Sequence, residues 1–441
     1  MSEAGCLRIR RRSEVEPRRA TQSMNREVVI TGIGLVSPIG NEPDLFWEGM
    51  RDGRSGVGPV TRFDATRFSC RLVAEASLDN RVPGTGRYAH EIRRMARFVQ
   101  YALAASRSAL SDSKLTEAGG ETPRGGVFVG VGVGGLPHIE QGVLRQETRG
   151  PRKTSPYLIP ATISNMAAGL VSLDLRLSGP QMTLAGACAG GTQALGEAFW
   201  AIRGGRLDWA LAGGTDSALT PLAFSGFEAM RALSARSAPE AAPRPFDRER
   251  DGMIIGEGAA FFVLEERERA EARGVRVRGI IRGYATVSGG QSLVRGCPES
   301  AARGIAAAVE DAGLGPGQVD VIFAQGTGMA SDEVELATIK AAFYDRGAHP
   351  AITSIEGHIG HTFAASGPLS MAAALRAFQH QELPATLGLE AVAPGYEDLD
   401  VLAKRRPARV KNCLIHTHGF GGLYATVVCS EARDGDAPMG A

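Results

Sequence analysis

Two distant segments of the chain share one pattern, in which the end of a helix leads through a short linker into a buried strand. Ala109–Leu115 precedes the apolar run Val127–Gly130, and Ala308–Leu314 precedes the apolar run Val321–Ala324. The same order of elements at two places indicates an internal duplication. A chain of 441 residues provides two or three domain-sized units. We therefore expect two related halves.

Short apolar runs alternate with helical patterns along most of the chain, which predicts an α/β fold with mainly parallel strands. The run Val28–Gly34 is typical of a buried strand closed by glycines, so folded structure should begin near Met24. Apolar residues at helical spacing predict a helix with one buried face, and these residues are Met95, Phe98, Val99, Ala102 and Leu103.

The domain boundaries follow from composition. Residues 1–24 are rich in arginine and nearly free of apolar side chains, which predicts a disordered tail. Glu14, Glu16 and the absence of an amphipathic stripe argue against a mitochondrial presequence. We predict an N-terminal half at 25–266, a C-terminal half at 267–432 and a second disordered tail at 433–441. The charged stretch Glu265–Arg278 marks the boundary, although composition fits a surface helix within one domain equally well.

Bulk properties exclude several functions. A formal net charge of +1 gives no indication of nucleic acid binding. No run of about 18 apolar residues predicts a membrane span, so a cytoplasmic protein without membrane contact is expected. The six cysteines lie far apart without C-x-x-C spacing, which predicts neither a zinc site nor a disulfide framework, and most should be buried thiols.

One cysteine stands where chemistry is expected. The segment Gln181–Gly196 predicts a strand, a sharp turn and a helix packed through small residues, with Cys188 at the turn. A thiol at a helix N-terminus gains thiolate character, and small neighbours leave space for a substrate. From residue type alone, the alternative is an inert buried thiol.

The Cys188 segment resembles the nucleophile region of the β-ketoacyl-acyl-carrier-protein synthases, which are thiolase-fold condensing enzymes. The resemblance extends from Arg26 to Ser430 and includes Val28–Gly34, Pro245–Asp247, Gly256–Ala259 and Gly419–Gly422. It implies a duplicated, five-layered αβαβα core and a dimer. It also implies that Cys188 accepts an acyl chain from an acyl carrier protein. No cofactor is implied, because the substrates are carried on the phosphopantetheine of the carrier protein.

In that family, two histidines and a lysine on later loops assist malonyl decarboxylation. The first loop resembles His-Gly-Thr-Gly-Thr, but here it reads Gln325–Met329 and is followed, after an apparent one-residue deletion, by Asp332 and Glu335. The Gln325 amide can donate a hydrogen bond but cannot shuttle a proton. The resemblance assigns Thr327 to the phosphopantetheine arm, while Met329 replaces the second threonine.

The second loop, Ser354–His361, keeps the essential histidine of the family at His361. Glu356 stands where the family has lysine, and Ser370 replaces the acidic partner of that lysine. We therefore predict that Glu356 reverses the sign of the local charge beside the substrate. His358 has no family role and is predicted to be a structural hydrogen-bond donor.

The third loop, Ile415–Gly422, resembles Asn-Ser-Phe-Gly-Phe-Gly-Gly, with His416 and His418 replacing the asparagine and the first phenylalanine. By resemblance, the N–H groups of Cys188 and Phe420 form an oxyanion hole, and the Phe420 ring gates the acyl tunnel. His416, His418 and Gly419 should border the substrate. The two histidines should point the same way, and one of them could supply the missing imidazole. No third ligand is placed by spacing, so no metal is expected.

Two further features have competing interpretations. Gly130–Gly135 is similar to a dinucleotide loop but lacks the acidic residue about 20 positions later, so close packing beside the acyl pocket is favoured. A basic cluster could meet an acidic carrier protein or be an ordinary solvated face, and it consists of Arg145, Arg149, Arg152 and Lys153.

Three functions remain open from the sequence. In the first, the protein is an elongating synthase that uses Cys188, His361 and Gln325. In the second, it is a non-decarboxylating acyltransferase, which needs only the thiol and the oxyanion hole. In the third, it is a partner subunit similar to a chain-length factor, although such subunits normally also lose the cysteine. The resemblance allows a homodimer or a heterodimer with a ketosynthase homologue.

Overall fold

The computed structural model describes residues 26–78, 88–115, 124–239, 242–290, 292 and 296–432. The predicted disordered tails at 1–24 and 433–441 lie outside these residues. The strands are β1 Val28–Val36, β2 Val57–Pro59, β3 Leu72–Ala74, β4 Gly125–Val131, β5 Gln181–Leu184, β6 Trp209–Ser217, β7 Ile255–Glu266, β8 Gly279–Ser288, β9 Val321–Phe323, β10 Ala351–Thr353, β11 Glu382–Leu383, β12 Arg406–Pro407, β13 Asn412–Gly419 and β14 Leu423–Ser430.

The helices connect and cover these strands. They are α1 Pro43–Arg51, α2 Ala89–Ile92, α3 Arg97–Asp112, α4 Leu136–Arg149, α5 Leu158–Thr162, α6 Met166–Asp174, α7 Gly190–Arg203, α8 Pro221–Ala229, α9 Arg267–Ala272, α10 Pro298–Asp311, α11 Asp332–Ala342, α12 Glu356–Ile359 and α13 Ser366–His380. The predicted strand at Val28 and the predicted amphipathic helix are β1 and α3. Phe98, Val99, Ala102 and Leu103 are buried in α3.

The strand order reveals the duplication directly. One run of strands has the order β5-β4-β6-β7-β1, and the other has the order β10-β9-β13-β14-β8. If the five main strands of each half are numbered along the chain, both runs read 3-2-4-5-1. The two runs meet where β1 pairs with β8 at Val28–Ile30 and Gly279–Ile281. The predicted duplication is therefore present in the fold.

The prediction of mainly parallel strands holds for four of the five main strands in each half, and the fifth strand is reversed. β4 runs parallel to β5 and β6, but β7 is antiparallel to both β6 and β1. The second half repeats this arrangement with β14 as the reversed strand. Only the short turn 420–422 joins β13 to β14, and a connection of that length allows an antiparallel pair alone.

Five layers result from the way the helices pack. α3 and α6 cover the outer face of the first sheet, and α10 and α11 cover that of the second. α7 and α13 lie between the sheets, where α7 contacts β4, β6 and β14. Small residues permit this close approach, since a Cβ atom at Gly191 would lie 2.0 Å from the Ala364 carbonyl oxygen. The N-termini of α7 and α13 therefore lie close together.

The charged stretch between the halves contains a short helix. α9 follows β7 directly and packs against β1 and β7, and β8 then opens the second set of strands. The exact position of the boundary after residue 266 stays a prediction.

Candidate active site

Cys188 lies in a 3-10 turn, Ala187–Ala189, between β5 and the start of α7. Ala187 has φ +46°, a backbone conformation that residues other than glycine rarely adopt. This turn leaves Cys188 partly exposed, whereas the other four described cysteines are buried. The structure therefore singles out Cys188 as the accessible thiol among the described residues.

His361 is the nearest titratable partner of that thiol. Its Nε2 atom lies 3.1 Å from Cys188 Sγ. Its Nδ1 atom lies 2.8 and 3.0 Å from the two carboxylate oxygens of Glu356. Ser366 donates a hydrogen bond of 2.6 Å to the same carboxylate. Thiol, imidazole and carboxylate thus form a continuous row. The Glu356 carboxylate contacts the imidazole nitrogen that faces away from Cys188.

The electrostatics of this row follow from burial and contact. Burial alone would lower the pKa of His361, but the adjacent Glu356 carboxylate and the Cys188 sulfur outweigh it and raise the pKa well above its ordinary value. Burial raises the pKa of Glu356, and hydrogen bonding to His361 and Ser366 opposes that rise. His361 is therefore stabilised as an imidazolium.

Glu356 was predicted to border the substrate, but it does not line the cavity. Its side chain is buried behind His361 and faces the imidazole. The negative charge consequently acts on the substrate through His361. The sequence does not predict the direction of the Glu356 side chain, because a side chain on a tight turn can point either way.

Gln325 lines the cavity at the end of β9. Its Oε1 atom accepts a hydrogen bond of 2.7 Å from the backbone N–H of His418. A backbone N–H can only donate, so this contact fixes which amide atom faces it. The amide nitrogen Nε2 has no protein acceptor among the described residues and is left facing the cavity. Gln325 can therefore donate one hydrogen bond to a substrate carbonyl.

Two buried carboxylates hold the Gln325 loop in place. Glu335 accepts hydrogen bonds of 2.8 Å from the N–H groups of Gln325 and Gly326. Asp332 accepts hydrogen bonds from the N–H of Gly328 and from the N–H and hydroxyl of Thr327. Burial raises the pKa of Glu335 to about 8 despite its hydrogen bonds. The sequence showed these acids but not that they anchor the loop.

Thr327, predicted to hold the phosphopantetheine arm, is buried and does not line the cavity. Its hydroxyl turns inward to Asp332, 3.1 Å away. Met329 occupies the cavity wall from the same loop. The loop thus places an apolar side chain on the wall and a threonine inside.

His416 and His418 both line the cavity, as their spacing on β13 predicts. His416 Nδ1 lies 2.9 Å from the Thr426 hydroxyl, and its ring stacks on Tyr424. Burial lowers the pKa of His416 to about 3, with a further contribution from His418. Burial and the nearby His361 lower the pKa of His418 to about 4. Both rings are neutral at pH 7, so neither supplies a second imidazolium.

The third loop lies close to the nucleophile turn. A Cβ atom at Gly419 would lie 3.2 Å from the Cys188 backbone nitrogen, so Phe420 directly follows the residue that touches the nucleophile turn. No protein acceptor for the N–H groups of Cys188 and Phe420 is found in the described part of the chain. The Phe420 ring is 43% exposed and lines the cavity mouth. The predicted role of these N–H groups as an oxyanion hole stays a prediction.

The cavity itself has a volume of about 140 Å³ and mostly apolar walls. Besides the predicted residues, its walls include Val133, Phe227, Met253, Met329 and Phe363. Such walls suit an aliphatic chain attached to Cys188. Phe227 and Met253 come from segments far apart in sequence, and no periodic pattern marks them as neighbours.

The backbone N–H groups of the glycine-rich loop after β4 are already hydrogen-bonded within the protein. The N–H groups of Gly132, Val133 and Gly134 donate to the buried carboxylate of Asp216 at 2.8 to 3.1 Å. Burial raises the pKa of Asp216 to about 6, although these N–H groups oppose the rise. The loop holds an internal anion beside the cavity, where Gly132 and Val133 line the wall. It therefore has no free N–H cradle for a phosphate.

His358 has the structural role that was predicted from its sequence context. Its two ring nitrogens lie 2.9 Å from the Arg54 carbonyl oxygen and 3.2 Å from the Ala385 carbonyl oxygen. Its side chain is buried and does not line the cavity. His358 therefore ties the second loop to two neighbouring segments.

Arg145, Arg149, Arg152 and Lys153 are all exposed at the end of α4 and in the turn after it. Their predicted contact with a carrier protein stays a prediction. Within the described ranges, no group of three or more His, Cys, Asp or Glu side chains has the geometry to hold a metal ion. No described helix combines the length and apolar character needed to cross a bilayer.

Comparison with known proteins identifies related sequences and structures. Residues 25–270 match the model of the β-ketoacyl synthase N-terminal domain, and residues 278–390 match that of the C-terminal domain. The 3-oxoacyl-[acyl-carrier-protein] synthase 2 of Synechocystis sp. is 38% identical over 91% of this chain and 97% of its own length.

Solved structures give the same result for the fold. The ishigamide ketosynthase/chain length factor superposes with a TM-score of 0.86 at 30% identity, covering 93% of this chain and 100% of that one. A type II polyketide acyl-carrier protein in complex with its ketosynthase bound to the hexaketide gives a TM-score of 0.83 at 28% identity, covering 92% of this chain and 100% of that one.

Proposed function

The chain belongs to the β-ketoacyl synthase family, and we propose that it moves an acyl chain from an acyl carrier protein onto Cys188 and condenses it with malonyl-carrier protein. The product would be a β-ketoacyl chain of the fatty acid or polyketide type. The contact of 3.1 Å between Cys188 Sγ and His361 Nε2, beside an apolar cavity, carries this proposal. A partner subunit without catalysis would not need to preserve this pair.

The first half-reaction is thioester exchange. The Cys188 sulfur attacks the acyl carbonyl carbon, and the oxyanion accepts hydrogen bonds from the N–H groups of Cys188 and Phe420. The bond to the carrier sulfur breaks, and the carrier thiol leaves with the proton that His361 had taken from Cys188. The acyl chain then occupies the apolar cavity.

The second half-reaction generates a carbon nucleophile. Malonyl-carrier protein loses carbon dioxide, and the electron pair of the broken C–C bond forms an enolate. His361, which gave its proton to the carrier thiol in the first half-reaction, takes a new proton from solvent. The enolate oxygen then accepts hydrogen bonds from Gln325 Nε2 and from the Nε2–H of the His361 imidazolium. The carbon attacks the acyl-Cys188 carbonyl, and the C–S bond breaks to release the Cys188 sulfur. Both side chains act as donors here, so an amide can replace one imidazole.

The Gln325 amide provides the test of this step. Replacing Gln325 with Leu should slow carbon dioxide release from malonyl-carrier protein by about 10²- to 10³-fold, because one preorganised donor is removed. Acylation of Cys188 should persist, since Gln325 takes no part in thioester exchange. Radiometric carbon dioxide release and intact-protein mass spectrometry measure the two steps. A Leu variant that releases carbon dioxide at the wild-type rate would rule out this role, and Gln325→His serves as the donor-retaining control.

The carrier protein is the proposed partner, and no cofactor of the enzyme's own is proposed. Related proteins support this partner, since one similar structure is a ketosynthase complexed with its acyl-carrier protein. The substrates would arrive on phosphopantetheine through the mouth beside Phe420. A cytoplasmic location, expected from the sequence, remains part of the proposal.

A second copy of the fold is proposed to cover the edge of the first sheet. β5 is the outermost strand of its run, and no other described strand pairs with its outer edge. Large apolar side chains are exposed on β5 and on the neighbouring helical segments, and they are Ile139, Val143, Leu144, Ile159, Ile163, Leu173 and Met182. An open strand edge with such a surface is a site for pairing.

The dimer is tested by light scattering during size-exclusion chromatography. The purified protein should elute with about twice the 46.4 kDa mass of the chain. Met182→Arg should shift it toward the monomer, because the charge would be buried against the partner. Leu45→Arg, at an exposed position on α1, is the matched control. A monomeric wild type would contradict the homodimer, and dimer formation only with a homologue would indicate the heterodimer.

A further inference from the structure

Glu356 gives His361 a property that the carbon–carbon bond-forming step does not require. An ionised carboxylate only accepts hydrogen bonds, so the contact of 2.8 Å with Glu356 assigns the Nδ1 proton to the imidazole. When His361 is neutral, its Nε2 therefore carries the lone pair and faces the Cys188 sulfur. In this tautomer the imidazole can act as a general base. A carboxylate hydrogen-bonded to Nδ1–H keeps a catalytic imidazole in this tautomer.

The condensing step makes no use of such a base. Its nucleophile is a carbon that forms by loss of carbon dioxide, so no proton has to be removed from it. A nucleophile that carries an O–H group does need a base beside the acyl group. A row of thiol, imidazole and carboxylate, with distances of 3.1 and 2.8 Å, activates the thiol during acylation and provides such a base once the acyl group is on Cys188.

The surroundings of Glu356 support a role beyond packing. The carboxylate is buried, and its hydrogen-bond partners among the described residues are His361 and Ser366. A buried charge is costly without a partner of opposite charge. The His361 imidazolium is that partner for Glu356. Ser366 holds the carboxylate from the other side and also contacts Thr362, 3.1 Å away. The geometry thus directs the carboxylate at one ring nitrogen.

We infer that Cys188, His361 and Glu356 also transfer the Cys188-bound acyl group to a nucleophile with an O–H group, of which water is the smallest. This inference rests on the proposed acylation of Cys188. His361 Nε2 takes the proton of the O–H group as its oxygen attacks the thioester carbon. The C–S bond breaks, and His361 returns the proton to the Cys188 sulfur. Water yields a free acid, and an alcohol yields an ester.

The groups that face His361 determine how this activity depends on pH. They are Glu356 from α12, Cys188 from the turn before α7, His418 from β13, and the Phe363 ring at a centroid distance of 4.8 Å. The pKa of His418 is lowered to about 4, so this ring stays neutral in the relevant range. Glu356 raises the pKa of His361, and deacylation should therefore increase with pH as His361 loses its proton.

The test follows deacylation of the acyl-enzyme. Wild-type protein is acylated with octanoyl-N-acetylcysteamine and desalted, and loss of the octanoyl mass is recorded in buffer and in buffer with ethanol. Glu356→Gln should slow deacylation by about 100-fold or more, as loss of the orienting carboxylate does in other triads. Its pH midpoint should fall, because the carboxylate no longer raises the pKa of His361. Glu356→Asp should restore most of the rate, and Glu268→Gln, on exposed α9, should match the wild type.

The outcomes separate this inference from the proposed function. Free acid in buffer would identify water as an acceptor, and ethyl ester would identify an alcohol; either product with the Glu356 dependence supports the inference. An acyl-enzyme whose release is as fast in Glu356→Gln as in wild type, with the same pH midpoint, overturns the inference alone. Failure of wild-type Cys188 to accept any acyl group overturns both. Ser366→Ala keeps the charge of Glu356 and should reduce the deacylation rate by a smaller factor than Glu356→Gln. It provides a second test if Glu356→Gln is unstable.

Discussion

Cys188→Ala will abolish acyl-enzyme formation, and condensation will fall by roughly 10⁴-fold or more. The thiol is the attacking atom of the first half-reaction, and none of the other four described cysteines is exposed to replace it. Alanine is tolerated sterically, because the turn is already built from small residues. The mass of the protein after incubation with acyl-carrier protein, and the rate of β-ketoacyl product formation, measure both effects.

Cys429→Ala is the matched control for that variant. Cys429 is buried in β14 and does not line the cavity, so its removal should leave the rates unchanged. Acyl incorporation that survives in Cys188→Ala would show that another group is the nucleophile. Equal losses in both variants would point to a general effect on the fold.

His361→Ala is expected to reduce both half-reactions, by about 10³- to 10⁴-fold in overall condensation. The imidazole takes the thiol proton in the first step and donates to the enolate in the second, so both rates depend on it. Single-turnover acylation and carbon dioxide release measure the two steps separately. His349→Ala, at an exposed position, is the control.

Stability has to be separated from chemistry in the His361 variant, because it leaves the buried carboxylate of Glu356 without its cation. The double variant His361→Ala, Glu356→Ala removes both charges and should recover part of the lost unfolding free energy while remaining inactive. If thermal unfolding is unchanged in the single variant and condensation proceeds normally, His361 has no part in the reaction.

The sequence predicted those features of the fold that depend on local pattern. The duplicated helix-to-strand segments correspond to α3 with β4 and α10 with β9, at equivalent places in two halves of identical strand order. Cys188 lies on the predicted turn, and His416 and His418 point the same way, because side chains two apart on a strand share a face.

Other features depend on contacts that local pattern does not contain. Apolar runs alone do not specify the antiparallel pairing of β7 and β14 inside each half. Glu356 was recognised as a reversed charge, but its contact with His361 depends on the turn between them. Thr327 faces Asp332 because the loop folds inward around that buried acid. For Glu356 and Thr327, the sequence showed the residue type but not the direction in which the side chain points.

The most direct test of the account follows one sulfur through a single turnover. Wild-type protein is incubated with acyl-carrier protein, its intact mass and the peptide that contains residue 188 are analysed, and malonyl-carrier protein is then added. We predict one acyl group on Cys188, followed by its loss together with one equivalent of carbon dioxide and a β-ketoacyl product. A protein that acquires no acyl group on Cys188 from any carrier-bound donor would contradict the account.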